Sequence, residues 1–364
     1  MQPHSRFYDF KPDFREPFGR DRDRIIHSSS FRKLEYKTQV FPNQSGDYFR
    51  TRLTHSLEVS QIARTLSEAL RLNANLAEAI ALAHDLGHTP FGHCGGDELD
   101  RVMKKYGYRC GFDHNFQSFR VVTSLEKRYQ EFEGINLTFG TLEGILKHSY
   151  PYEKPFLNAS LRSLFKTDFH PSLEAIIVDL SDEIAYLSHD IDDGIKCGLI
   201  SFKDLKSSQL ASEVIAYIRE KEKITQEEKI FRHRFTSRLI TLLVYDILEN
   251  ISPFTQESPQ CAIYKANEPV RIAHTQKMQE SIEELKVVLL ERLYHHEEIN
   301  RKMYLGKKCI KSLYECFCDE PSLLPKDWQE RIQNGGKIHR VCADFIASMS
   351  DRYALKIYKE LGFG

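Results

Sequence analysis

Apolar residues in this chain recur mostly at spacings of three and four, the period of a helix with one buried face. Leu53, Leu57, Ile62, Leu66 and Leu70 trace one such face and predict a helix that Asn73-Ala74-Asn75 interrupts. Asn75 is then the expected cap of a second helix, with Glu78 completing a box-like pair, and the alanine-rich stretch 77–83 favours its continuation. Gly87 and Pro90 are expected to end it, and a loop rich in Gly and His follows over 87–96. Further helices are predicted over 97–106, 114–130 and 141–149, then from Pro171-Ser172 to a stop at Gly194. The pattern continues over 203–221, 226–250, 276–304 and 328–361. Period-two alternation is weak, with a short hairpin expected near 106–112 and 132–139. The expected fold class is all-α: a polar, irregular arm with the first site elements over 1–52, a catalytic core over 53–195, and additional C-terminal helices over 196–364 packed on it.

Composition narrows this picture. The 364 residues include only 18 Gly and 13 Pro, which suits long helices and excludes disorder or a collagen-like chain. A net charge of -1 gives no global attraction to nucleic acid or a membrane. No apolar run nears the ~20 residues that span a bilayer, and MQPHSRFYDF lacks the apolar centre of a secretory signal. The 8 cysteines are scattered without a C-x-x-C pair, so reduced thiols and a cytoplasmic location are expected. Arg20-Asp21-Arg22-Asp23-Arg24 alternates sign at consecutive positions, which builds no helical salt-bridge ladder; it reads either as a solvated segment or as a subunit or phosphate contact.

The chemistry concentrates in Ala83-His84-Asp85-Leu86-Gly87-His88-Thr89-Pro90-Phe91-Gly92-His93. Adjacent helical residues point about 100° apart, but at a helix end the backbone relaxes and His84 and Asp85 can both turn toward one ion. His55 lies on the preceding helix, and an antiparallel pair joined at 73–75 brings it level with His84. Asp182, Tyr186 and Asp190 fall at i, i+4 and i+8 of a later helix and form one stripe. A single histidine is usually structural; His55, His84, Asp85 and Asp182 together read as metal ligands. Two imidazoles and two carboxylates suit Mn, Fe or Zn, with Mg less natural for nitrogen ligands. Cys94 reads as a small packing residue and His295-His296 as surface.

The order His, His-Asp, Asp resembles the HD phosphohydrolase superfamily. The wider text resembles its deoxynucleoside triphosphate triphosphohydrolase branch: Arg20-Asp21-Arg22-Asp23-Arg24-Ile25-Ile26-His27-Ser28, Lys37-Thr38-Gln39-Val40-Phe41, the segment 50–59, the segment 84–93, Phe112-Asp113-His114-Asn115, the segment 141–148 and the segment 179–193. These blocks cover about residues 20–195. The resemblance implies hydrolysis of a dNTP to deoxynucleoside and inorganic triphosphate, with one divalent ion, Mn or Mg, as Lewis acid. It implies His93 as general acid, His88 and His114 as phosphate-facing donors, and Arg52 as the α-phosphate clamp. It places Gln39, Tyr186 and Asp190 at the deoxyribose. It further implies a homo-oligomer, with dNTPs as allosteric activators. Two departures stand out. Thr89 replaces a usual Pro, and Gly96 replaces a carboxylate that lies three residues after the general acid; Asp97 is the substitute that a small loop shift would bring in. Two rivals accompany this reading: an HD phosphohydrolase acting on another nucleotide, such as a monophosphate, and a weakly catalytic nucleotide sensor or single-stranded nucleic-acid binder.

Overall fold

The computed structural model describes residues 2–9, 14–39, 49–149, 157–226, 229–251 and 272–363. Val40 and Phe41, part of the family-like text, lie outside them. Among the described residues the regular structure is helical and no strand forms; the expected hairpin is absent, since 106–112 makes no bridge and 132–139 pairs elsewhere, Gly134 with Lys127 and Thr138 with Arg6.

The first helices are α1 (Pro17–Ile26), α2 (Ser29–Lys33), α3 (Arg52–Ala69) and α4 (Ala74–Ala83). Then come α5 (Gly92–Lys105), α6 (His114–Arg120), α7 (Phe139–Leu146), α8 (Ala159–Leu164) and the long α9 (Leu173–Lys196). The rest are α10 (Phe202–Leu205), α11 (Gln209–Glu220), α12 (Lys229–Glu249), α13 (Gln276–Leu289), α14 (Glu297–Asp319), α15 (Lys326–Gln333), α16 (Ile338–Ala347) and α17 (Asp351–Glu360).

Local chemistry explains the boundaries. Thr51 and Thr54 form a reciprocal cap that starts α3. Asn73, not Asn75, caps α4, accepting from Leu76 N at 3.0 Å. Glu78 is drawn away to Arg64 at 2.7 Å, which explains why the expected pair does not form. Ser172 caps α9 as its position after Pro171 suggests. Gly194 stays inside α9, where a Cβ would lie 3.0 Å from Ile200; the chain reverses later, at Gly198 with φ +75°.

Several long expected helices are broken. The segment 203–221 divides before Ser208, which caps α11. The segment 276–304 widens into a π-helical turn over Leu290–Tyr294 and restarts at His296. The segment 328–361 becomes α15, α16 and α17, and 114–130 shortens to α6 plus a π-helical turn. The described part of the arm before 52 is not wholly irregular: it contains α1 and α2. Its amphipathic pattern is hidden because the buried face is charged. Asp21 is fully buried and accepts from Arg6, Thr138 and Thr141, while Arg24 donates to the carbonyls of Ile135 and Asn136. The charge run therefore docks this arm onto α7.

The α3 face is also rotated from the simple leucine reading. Val59, Ile62, Ala63 and Leu66 are buried, whereas Leu57 is 49% exposed. Each fully buried branched side chain contributes roughly 1.5–3 kcal/mol. This face packs α3 against α4 and α9 in one core that extends to α11, α12 and α13. A second core lies under α4, α6 and α7, and a third joins α5 to α14, α16 and α17. The result fixes α3, the end of α4 and the middle of α9 against one another.

Candidate active site

His55 leaves the first turn of α3, His84 ends α4 and Asp182 projects from α9. One ligand atom from each lies within 4.8 Å of the others. His55 Nε2 is 2.9 Å from Asp182 Oδ1, and His84 Nε2 is 3.9 Å from the same oxygen. Asp85 borders this group, its Oδ1 3.4 Å from His84 Nε2 and its Oδ2 3.9 Å from His55 Nε2. The ring of His84 is preset: Nδ1 meets the Ala81 carbonyl at 2.6 Å, and the buried Nε2 has no hydrogen-bond partner. A lone pair buried without a partner is costly unless something binds it. Electrostatics point the same way. Burial alone would push the carboxyl of Asp85 up, but His84, Arg52 and His88 outweigh it and hold it well below the usual carboxylate range. For Asp182, burial is likewise overcome by His148 and His55.

Beside this cluster, Arg52 is 1% exposed and donates through Nη1 to Asp85 Oδ2 at 2.8 Å, while its buried Nε and Nη2 have no partner. Buried guanidinium donors without partners suit an anion. His88, His93 and His114 form a second group, with the rings of His88 and His114 stacked at 4.1 Å. Burial and the charge of Arg52 push His88 well down, and burial with His93 takes His114 to about 3, so both are neutral at physiological pH. These histidines, with Asp97, line a cavity of about 270 Å³. Gly87 N donates to Ser118 Oγ at 2.8 Å and Ser118 Oγ donates to the His84 carbonyl, which locks α6, and with it His114, onto the turn after α4.

The expected loop over 87–96 is shorter, because α5 already begins at Gly92. A helix is tolerated there since a Cβ at Gly95 would lie 2.0 Å from the Pro90 carbonyl oxygen; only a bare backbone lets the helix press onto that turn. The consequence corrects the expected loop shift: His93 and Asp97 stand at i and i+4 on one helical face.

Comparison with known proteins now bears on this geometry. The chain matches the HD domain over residues 52–187 and the phosphohydrolase-associated domain over 272–360. A deoxyguanosinetriphosphate triphosphohydrolase-like protein of Wolinella succinogenes is 61% identical over 366 aligned residues, covering 100% of both chains. The chain belongs to the deoxyguanosinetriphosphate triphosphohydrolase-like family. A Geobacter sulfurreducens member is 44% identical, covering 96% of this chain and 89% of its own. One from Nitrosomonas europaea is 42% identical over 98% and 94%. Membership in this HD-domain family makes the chain a phosphohydrolase, and HD domains bind divalent metal. Arg52, His55, His84, Asp85 and Asp182 all fall inside the matched HD segment, and the two imidazoles and two carboxylates among them fit such an ion.

The candidate site includes side chains that spacing did not reveal. His148, after α7, faces both Asp179 and Asp182, its Nε2 3.5 Å from Asp182 Oδ2. His189 Nε2 lies 2.7 Å from His55 Nδ1, and its own Nδ1 lies 3.2 Å from Asp190 Oδ1. Asp190 is 2% exposed and also accepts from the hydroxyl of Tyr294, whose ring stacks on Tyr186 at 5.9 Å. Asp190 thus reaches the His55, His84 and Asp182 group through His189. Gln39 is half-buried, with Oε1 unpartnered. His189 was findable: seven residues after Asp182, it returns to within about 20° of the same face. Nothing in the sequence pattern announces His148, which depends on how α7 meets α9.

The described residues contain no helix long and apolar enough to cross a membrane.

Proposed function

We propose that the protein hydrolyses deoxynucleoside triphosphates, dGTP or several dNTPs, to deoxynucleoside and inorganic triphosphate, with one divalent ion held by His55, His84, Asp85 and Asp182. The observation that carries this reading is the adjacency, in one buried site, of the unpartnered His84 Nε2 and the two free donors of Arg52. When bound, the ion supplies Lewis-acid stabilisation of the charge that develops on the α-phosphate.

The chain's own residues supply the rest. Arg52, anchored on Asp85, offers Nε and Nη2 to phosphate oxygens in a site where water cannot compete. His114, neutral and stacked on His88, offers an N–H donor to the phosphate chain, and His88, whose Nε2 lies 3.1 Å from Asp85 Oδ1, joins it when Asp85 turns to the ion and that N–H is released. Water attacks the α-phosphorus, and the bond to the nucleoside 5′-oxygen breaks. His93, at the start of α5, gives that oxygen its proton, and Asp97 one turn later orients the ring. Gln39, Tyr186 and Asp190 bind the sugar end, with Asp190 also holding the hydroxyl of Tyr294. Aromatic packing against the 2′-carbon disfavours a ribose. Nitrogen and oxygen donors in equal number favour Mn over Mg, and the family name of the relatives supports dGTP as a first substrate. The enzyme acts in the cytoplasm as a homo-oligomer, with a dNTP as activator.

The test is product identity. Each dNTP is incubated with the protein and Mn or Mg, and the products are separated by ion exchange. Deoxynucleoside with triphosphate is expected; monophosphate with pyrophosphate, or stepwise loss of single phosphates, overturns the reading.

A further inference from the structure

We infer that Asp351 is a positioning residue, through which the C-terminal helices clamp together the two backbone segments that carry Gln39 and His93. An aspartate in the first turn of a helix ordinarily serves that helix's own free N–H groups. Here that task falls to Ser350, whose side chain accepts from Tyr353 N at 3.2 Å. Asp351, 6% exposed, is turned outward to other elements instead. Its Oδ2 accepts from Thr38 N at 3.0 Å and from Thr38 Oγ1, and its Oδ1 accepts from Phe91 N at 3.1 Å. Thr38 directly precedes Gln39. Phe91 stands just ahead of α5 with φ +63°, a left-handed conformation that costs a non-glycine residue free energy unless something holds it.

Lys37 braces the same junction from the other side. It is 2% exposed, and its Nζ donates to the carbonyl of His88 and, at 2.8 Å, to that of Ala347 at the end of α16. The segment 347–351 therefore holds the backbone at 37–38 and at 88–91 through buried bonds that water cannot replace. No metal ligand is touched. What the clamp sets is the relative position of Gln39 and the first turn of α5. A displacement of about 1 Å at such a place can cost about 100-fold in rate.

The kinetic half of the test rests on the hydrolysis proposed above; the exchange half does not. In the full-length protein with Mn, Asp351→Ala raises amide hydrogen exchange at 37–39 and 88–93 by about tenfold or more, leaving α3 and α9 as they were. Metal content stays the same, and kcat on the best dNTP falls about 10- to 100-fold with KM changed less than about threefold. Ser350→Ala removes the cap of the same helix without touching the clamp, and its kcat stays within about twofold when assayed well below its melting temperature. Thr38→Val, which loses only the hydroxyl bond, loosens the same two segments to a smaller degree, and Thr38→Ser restores them; this pair decides the matter if the alanine variant does not fold. Unchanged exchange in both segments, or a kcat loss that Ser350→Ala reproduces, overturns the assignment. If the unmodified protein turns over no dNTP, the proposed function fails and the exchange comparison alone decides the clamp.

Discussion

At the scale of single residues, the site works by removing choices. His84 has its Nδ1 committed to the Ala81 carbonyl, so only Nε2 remains, buried without a hydrogen-bond partner and 3.4 Å from Asp85 Oδ1. Replacing His84 with Ala, or Asp182 with Asn, is expected to lower bound metal at least about tenfold by elemental analysis and to abolish turnover. His93→Ala should abolish turnover while metal content stays at the unmodified level. Retention of metal by the first two variants would remove the ligand assignment. Asp97 makes a sharper case. Because α5 starts at Gly92, Asp97 shares a face with His93, and Asp97→Asn should cut kcat about 10- to 100-fold without metal loss. An unchanged kcat would leave His93 without an orienting carboxylate. The ligand candidates could be read from the sequence because His55, His84 and Asp85 stand at helix ends, Asp182 opens a polar stripe on a later helix, and the order of the four resembles a family pattern. His148 was not, since its position depends on packing between distant segments.

At the scale of elements, two polar residues buried among helices govern stability. Glu174, in the first turn of α9, is fully buried; its Oε1 accepts from Asn73 N at 3.1 Å and its Oε2 has no partner. Burial pushes its carboxyl up to about 7 from the ordinary 4.5. The folded protein therefore keeps a proton that the unfolded chain releases, and stability falls as pH rises from 4.5 through 7. A carboxyl so raised costs on the order of 3 kcal/mol above that window. Glu174→Gln should be more stable than the unmodified protein above pH 7, with the advantage fading toward pH 4.5; denaturant midpoints across this range check it, and parallel curves would contradict it. Asp21 gives the opposite prediction. Asp21→Ala leaves Arg6, Thr138 and Thr141 without their shared acceptor and should cost about 3 kcal/mol or more in the same measurement. A loss under about 1 kcal/mol would mean that the arm docks by other contacts. Helix existence was readable from apolar spacing in α3, from alanine-rich composition in α4 and from the Pro171-Ser172 start in α9. Breaks were less so: no apolar residue is missing at 290–296, yet the helix widens there before His296 starts another. The helical arm was hidden for a different reason, because Asp21 and Arg24 are polar residues on a buried face.

Across the whole molecule, three cores divide the labour. The one joining α3, α4 and α9 sets the metal candidates, the one under α6 and α7 brings up His114 and His148, and the third ties α5 to the C-terminal helices. The segment matching the phosphohydrolase-associated domain brings the hydroxyl of Tyr294 to Asp190, and it bonds to the backbone at 37–38 and 88–91 through Asp351 and Ala347. The most direct measurement is anomalous diffraction from crystals grown with Mn and a non-hydrolysable dNTP. A single ion about 2.0–2.3 Å from His55 Nε2, His84 Nε2 and an oxygen each of Asp85 and Asp182, with an α-phosphate oxygen against Arg52, is the expected result. An ion seated instead on His88, His93 and His114, or a triphosphate bound away from Arg52, would contradict it.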